Sequence, residues 1–152
     1  MLEIERKFLV DTDIWKPVGT GSKIKQGYLS VDPERVVRVR IADERAYLTI
    51  KGKPEGIVRT ELEYEIPKNE AEVLLKICIN FPVEKTRFKE NIGEFVWEID
   101  VFEGENYGLV MAEVELRDEK QKFDFPDWIG EEVSFDSRYY NSWLSLNPFS
   151  KW

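Results

Sequence analysis

The sequence predicts an α+β protein that is mainly β: an antiparallel sheet of about eight strands, able to close into a barrel or to pack as a sandwich, with few helices. Three observations lead there. Apolar residues alternate with charged ones over eight short stretches, turn-forming residues separate several of those stretches, and only two segments carry helical apolar spacing.

The strands expected from the alternation are 3–10, 23–30, 35–42, 46–52, 59–66, 84–91, 94–102 and 110–117. The turns between them include VDPE at 31–34, KGKPEG at 51–56 and EGENYG at 103–108. A short turn is expected over 11–17, where Pro17 limits helix growth. Asn69 is a candidate N-cap for a helix with Glu72 three residues on, and Val73, Leu74, Ile77 and Cys78 would form its apolar face. A second helix is expected to start near Asp136 and run through SRYYNSWLSL, packing Tyr140, Trp143, Leu144 and Leu146. No repeat, low-complexity tract or linker interrupts the chain, so residues 1–152 are expected to form one domain.

Composition narrows the chemistry. The chain is 42% hydrophobic, enough for a folded core despite 34% charged residues. Histidine is absent, which excludes His-based metal sites, Ser-His and Cys-His nucleophiles and imidazole acid–base catalysis. A net charge of −8 argues against general nucleic-acid binding. The single cysteine, Cys78, cannot form an internal disulfide, lies in an apolar run where a core role is expected, and fits a reducing cytoplasm. No apolar run approaches the roughly 18 residues of a membrane span, and the opening residues read as a charged strand, not a signal peptide. An enzyme built from this chain must work with carboxylates, Lys, Arg, Tyr and a hard metal.

The alternation carries that chemistry. The chain opens with Glu3, Glu5 and Lys7 at alternate positions, hence on one face of a strand. The same trick recurs in Arg38 and Arg40, Thr49 and Lys51, and Arg59, Glu61, Glu63 and Glu65. Lys85, Arg87 and Lys89 form a basic row, Glu98 and Asp100 an acidic pair, and Glu113, Glu115 and Arg117 close the series. One such row alone is an ordinary solvated sheet face. As a set, the rows are segregated by sign rather than mixed, and a closed sheet has an interior where charges must be paired or bound. A tunnel lined with both signs suits a polyanion carrying divalent cations. Arg and Lys grip phosphate oxygens, and carboxylates hold Mg²⁺ or Mn²⁺.

In order along the chain, Glu3-x-Glu5-x-Lys7, Gln26-Gly27-Tyr28-Leu29, Arg38-x-Arg40, Thr49-x-Lys51, Arg59-x-Glu61-x-Glu63, Glu84-Lys85-Thr86-Arg87, Glu98-Ile99-Asp100, Glu113-Val114-Glu115 and Asp136-x-Arg138-Tyr139-x-Asn141 resemble the signature of the CYTH superfamily, the triphosphate tunnel metalloenzymes. The resemblance spans essentially the whole chain. It implies a closed eight-stranded antiparallel barrel with the charged rows inward, a few peripheral helices and a C-terminal capping helix. It implies that Lys7, Arg38, Arg40, Lys51, Arg59, Lys85 and Arg87 contact phosphate, and that Glu3, Glu5 and Glu115 hold the activating metal. Glu61, Glu63 and Asp100 would serve a second ion or orient the attacking water, and Glu113 belongs to either group. Lys85, Glu63 and Asp100 are the expected catalytic residues, with Lys85 protonating the leaving phosphate or acting electrostatically. Tyr28 is a packing residue or a tunnel gate, Arg138 is a candidate cap residue, and Phe149 and Trp152 would cover the outer wall or a homodimer contact. The implied activity is metal-dependent hydrolysis of inorganic triphosphate with Mg²⁺ or Mn²⁺, two ions being expected. Class IV adenylate cyclase, thiamine-triphosphatase, nucleoside triphosphatase and a non-catalytic polyphosphate-binding module are the alternatives.

Overall fold

The structure, a computed structural model, describes residues 1–152. Nine strands form: β1 (Leu2–Val10), β2 (Ser22–Ser30), β3 (Arg35–Ala42), β4 (Arg45–Gly52), β5 (Val58–Ile66), β6 (Ile79–Ile92), β7 (Phe95–Phe102), β8 (Val110–Glu115) and β9 (Ile129–Glu132). Eight of them run in the order β5-β4-β3-β2-β6-β7-β8-β1, and a β1–β5 pairing closes the ring into an antiparallel barrel. β1 divides its free edge. Leu2, Glu3 and Ile4 pair with β5, whereas Phe8 and Val10 pair with β9 across an irregularity.

The expected strands are therefore present, with two differences. β6 starts five residues before the expected 84, and β9 was not anticipated, because the four residues IGEE carry no apolar alternation. β8 ends at Glu115, so Arg117 lies beyond it and pairs with Glu94 at 3.8 Å.

Alternation sends the charged rows inward and the apolar rows outward, so most of the hydrophobic core lies outside the barrel wall. Phe8, Trp97, Ile99 and Val114 face out from β1, β7 and β8, covered by Trp15 of the turn after β1 and by Trp128 and Phe123 of the segment before β9. A helix, α1 (Lys68–Lys76), covers β3 and β4 by laying Ala71 and Leu75 on Val39 and Ala46. Gly27 permits that approach, since a Cβ there would stand 2.7 Å from Cys78 Sγ.

The phase of α1 differs from expectation. Pro67, not Asn69, precedes its first turn, no side chain caps it, and Val73 and Ile77 are 59% and 67% exposed. The Ala71–Leu75 pair, at i and i+4, fits the narrow space against β3 and β4 better than the bulkier Val73 face. Cys78 is half-buried past the helix end, its Sγ 2.9 Å from the Leu75 carbonyl.

The C-terminal segment is also broken where one helix was expected. Asp136 does cap, its carboxylate accepting from Arg138 N at 3.1 Å, but it caps a single 3-10 turn over Ser137–Tyr139. Tyr140 is extended, with ψ 135°, and α2 is only Asn141–Leu144. Leu144 is fully buried, while Trp143 and Leu146 stay partly exposed. Leu144 and Val133 close one end of the barrel against Val83, Phe102, Leu109 and Met111. Phe102 is the direct cross-strand partner of Lys85, and Met111 of Asp100, so they continue the inward charged rows as an apolar floor. No helix is long and apolar enough to cross a membrane.

Candidate active site

The inward rows meet in one tunnel whose two ends differ in sign. Near the floor and the C-terminal segment the wall holds Lys7, Tyr28, Arg59, Lys85 and Asn141. Toward the other end it holds Glu61, Glu63, Glu98, Glu115, Arg87 and Lys89. Glu3, Glu5, Arg38, Arg40, Lys51 and Glu113 line both parts. Every residue expected to touch phosphate lines the tunnel, as do Glu3, Glu5, Glu61, Glu63, Glu113 and Glu115, whereas Asp100 does not. The expected cap residue Arg138 does not line it either. That side chain pairs with Asp136 at 2.6 Å on the surface and stacks on Tyr139 and Trp152.

The cross-strand register explains which charges meet. Lys51 Nζ donates to Glu3 Oε1 at 3.1 Å and stands 3.5 Å from Glu61 Oε2. Arg38 donates through Nη2 to Thr49 Oγ1 (3.1 Å), and Thr49 donates on to Glu63 Oε2 (3.0 Å). Arg40 Nε donates to Gln26 Oε1 at 2.8 Å. Arg59 Nε donates to the Gly52 carbonyl at 2.7 Å, which leaves its guanidinium ends facing the tunnel wall. Lys7 lies 3.5 Å from Glu113 and reaches the Tyr139 carbonyl at 3.5 Å.

Asp100, expected to serve a second ion or to orient the attacking water, is tied up in ion pairs, and Arg87, which lines the tunnel, is its main partner. Arg87 grips Asp100 in a two-pronged pair at 2.7 and 2.8 Å and donates to Glu98 Oε2 at 3.0 Å. Lys85 Nζ sits 2.8 Å from Asp100 Oδ2, the oxygen that Arg87 Nη2 also holds. A carboxylate 1% exposed and paired with two cations is committed to them rather than to the tunnel space. Asp100 anchors Lys85 and Arg87. Tyr28 is 3% exposed, its hydroxyl accepting from Gln26 Nε2 at 3.0 Å, so it is packed and faces the tunnel at once.

The crowding of like charge perturbs protonation. Burial, with Arg38 and Arg87 nearby, lowers Arg40 to about 9. Burial also brings Lys85 down to about 7, against the pull of Asp100 and with Arg87 and Arg40 adding to the effect. Burial raises Glu61 to about 7, helped by its contact with Glu3. Burial, then Glu113 and Glu3, lifts Glu5 well above the usual carboxylate range. Burial opposes ionisation of Glu113 too, but Lys7, Arg87 and Lys85 outweigh it and pull that carboxyl well down.

Gln26, Thr49, Asn141 and Glu98 also belong to this site, though no role attached to them beforehand. Their signal was position: Thr49 and Glu98 share an inward row with a charged residue already singled out, Asn141 shares the terminal motif with Arg138, and Gln26 shares the inward row of Tyr28.

The CYTH domain profile matches residues 1–145. The chain belongs to the CYTH family. An inorganic triphosphatase of Acetivibrio thermocellus is 49% identical to this CYTH chain over 148 residues, 97% of the chain and 95% of that protein. An inorganic triphosphatase of Nitrosomonas europaea is 37% identical over 153 residues, 97% of the chain and 99% of that protein. The crystal structure of the inorganic triphosphatase NE1496 superposes with a TM-score of 0.67 at 35% identity, covering 95% of this chain and 94% of its own. A Bacillus halodurans structure at 16% identity and a TM-score of 0.61, covering 78% and 82%, shares the fold alone.

Proposed function

We propose that this CYTH protein hydrolyses inorganic triphosphate to pyrophosphate and phosphate inside its tunnel, with the help of divalent metal. One observation carries the reading. Only two buried side-chain polar atoms lack a hydrogen-bond partner, and both belong to this tunnel: the donor Arg38 Nε and the acceptor Glu61 Oε2. A buried donor and a buried acceptor left open in one cavity call for a ligand that is anionic toward one and cationic toward the other. A metal-bound polyphosphate is both. The names of the two bacterial relatives point to the same substrate.

The donor set fits a hard cation. Glu3, Glu5, Glu61, Glu63 and Glu115 offer oxygen only, and the tunnel has no imidazole or thiolate, which suits Mg²⁺ or Mn²⁺ over Zn²⁺. No three acidic groups stand ready as a closed ligand set, because Lys51 lies between Glu3 and Glu61. We assign Glu3, Glu5 and Glu115 to one ion and Glu61 with Glu63 to a second, Glu113 facing both groups. Bound metal would neutralise charge on the phosphate oxygens and make the phosphorus more electrophilic.

The chain's own residues supply the rest. Arg38, Arg40, Lys51, Arg59 and Lys7 hold the phosphates in line, Arg38 through the free Nε. Glu63 is well exposed in the tunnel and orients the attacking water. Burial brings Lys85 down to about 7, so it can give its proton to the leaving phosphate.

The test is a parallel assay of tripolyphosphate, ATP and thiamine triphosphate with Mg²⁺, Mn²⁺ or EDTA, quantifying phosphate, pyrophosphate and cyclic AMP. Metal-dependent phosphate release, fastest from tripolyphosphate, is the expected result. Cyclic AMP from ATP would reassign the substrate, and tight polyphosphate binding without turnover would leave only a binding module.

A further inference from the structure

Gln26 and Asn141 sit at the closed end of the tunnel, and the proposed reaction gives them no part. Gln26 is completely buried, and Asn141 is the first residue of α2, on the segment that closes the barrel. Gln26 Oε1 accepts from Arg40 Nε at 2.8 Å. Its Nε2 donates to Tyr28 Oη at 3.0 Å and to Asn141 Oδ1 at 3.1 Å. Asn141 Oδ1 also accepts from Lys85 Nζ at 2.9 Å.

The order of donors in this chain is fixed from both ends. Arg40 and the protonated form of Lys85 have donors only. Arg40 therefore requires the oxygen of the Gln26 amide, which turns the Gln26 nitrogen toward Asn141. Asn141 must then present oxygen to Gln26, and the same oxygen faces Lys85. Neither amide can flip without setting donor against donor or acceptor against acceptor. In a dry site a misplaced polar group is costly, so the arrangement is stiff.

We propose that Gln26 and Asn141 are a positioning pair that holds the Lys85 ammonium at one point in the tunnel and ties it to the phosphate-gripping Arg40. This rests on the proposed phosphate chemistry for Lys85. Asp100 balances the charge of Lys85, while Asn141 sets its direction. The C-terminal segment thereby becomes part of the catalytic wall, because its Asn141 supplies Lys85 with a second acceptor beside Asp100 of β7.

Two exchanges of amide for carboxylate test this, since they change neither volume nor net charge relative to one another. Asn141→Asp keeps an acceptor toward both Gln26 and Lys85. Gln26→Glu keeps the acceptor toward Arg40 but offers oxygen to Asn141, whose amide must turn and point its NH₂ at Lys85. With tripolyphosphate and saturating metal, both variants should raise KM similarly, because each adds a negative charge beside the phosphates. Their kcat should differ. Gln26→Glu and the apolar Asn141→Leu should each lose about tenfold or more, the scale of a lost hydrogen bond to a charged group, and Asn141→Asp should recover most of that loss. Thermal melts would show whether each variant is folded.

A second readout is independent of activity. The ¹H–¹⁵N signal of the Lys85 ammonium at mildly acidic pH, assigned by its loss in Lys85→Arg, should persist in wild type and Asn141→Asp and broaden away in Gln26→Glu. Equal kcat and equal ammonium signals in the two carboxylate variants would overturn the inference. A wild-type protein inactive on tripolyphosphate that still shows this ammonium pattern would sink the proposed function and leave the positioning pair standing.

Discussion

Glu5 and Glu115 are direct cross-strand partners on β1 and β8, and both side chains point into the tunnel. Glu98 and Glu113 face each other in the same way across β7 and β8. Like charges placed directly opposite destabilise a sheet. The wall therefore contains a repulsion that only a proton or a cation relieves.

Metal should stabilise the fold as well as activate it. Mg²⁺ or Mn²⁺ is expected to raise the melting temperature, as any ligand of the native state does. Glu5→Gln should raise the metal-free melting temperature, shrink the metal-induced gain and cut kcat/KM by roughly 10²-fold, in line with the several kcal/mol a catalytic metal supplies. Calorimetry with and without EDTA, beside the assay, measures all three.

Glu61 makes that stability depend on pH. Its folded value of about 7 lies above the ordinary 4.5 of a free carboxyl. Its contribution is therefore complete below about pH 4.5 and is lost as pH rises through 7. In metal-free protein, wild type should weaken relative to Glu61→Gln between pH 5 and 7.5. A melting-temperature difference that stays flat across this range would count against the assigned protonation.

Lys85 predicts the opposite limb of the activity profile. A group at about 7 that must carry its proton loses effect as pH rises. The kcat/KM for tripolyphosphate should fall above roughly pH 7, and Lys85→Met should lower kcat by about 10² or more while removing that limb. Because its folded value lies below the unfolded 10.5, the same residue makes wild type gain stability as pH rises from 7 toward 10.5.

Arg87 and Arg59 should separate into structural and substrate-binding arginines. Arg87→Ala would leave Asp100 buried with Lys85 as its one remaining cation, and breaking such a pair costs about 3–5 kcal/mol, on the order of 10 °C for a chain of this length. Arg59→Ala breaks only one bond, to the Gly52 carbonyl at the end of β4, and should raise KM for tripolyphosphate with little change in melting temperature. Denaturant melts and initial rates distinguish the two.

Much of this was legible in the sequence because a strand writes its two faces at alternate positions. Glu3, Glu5 and Lys7 lie on one wall for that reason alone. What alternation cannot say is which charge meets which. The burial of Asp100 between Arg87 and Lys85 depends on register between β6 and β7, set by their turn rather than by either strand's pattern. Phe102 and Met111 show a second limit: they lie on inward rows yet are apolar, since the tunnel has a floor. α1 and the broken C-terminal segment were misplaced because several apolar faces were available there, and only contact with β3, β4 and the barrel end selects one.

The divided edge of β1 has a consequence for how the protein is assembled. The first strand of the chain cannot find both neighbours until β5 and β8 have been made, since it bridges them, and only three residue pairs join it to β5. The outward apolar clusters can gather while the interior still stands open to water. Dehydration of the ionic lining then coincides with the final zipping of β1. That short seam should be the first to exchange its amide hydrogens, and ring closure and competence for turnover should arrive together.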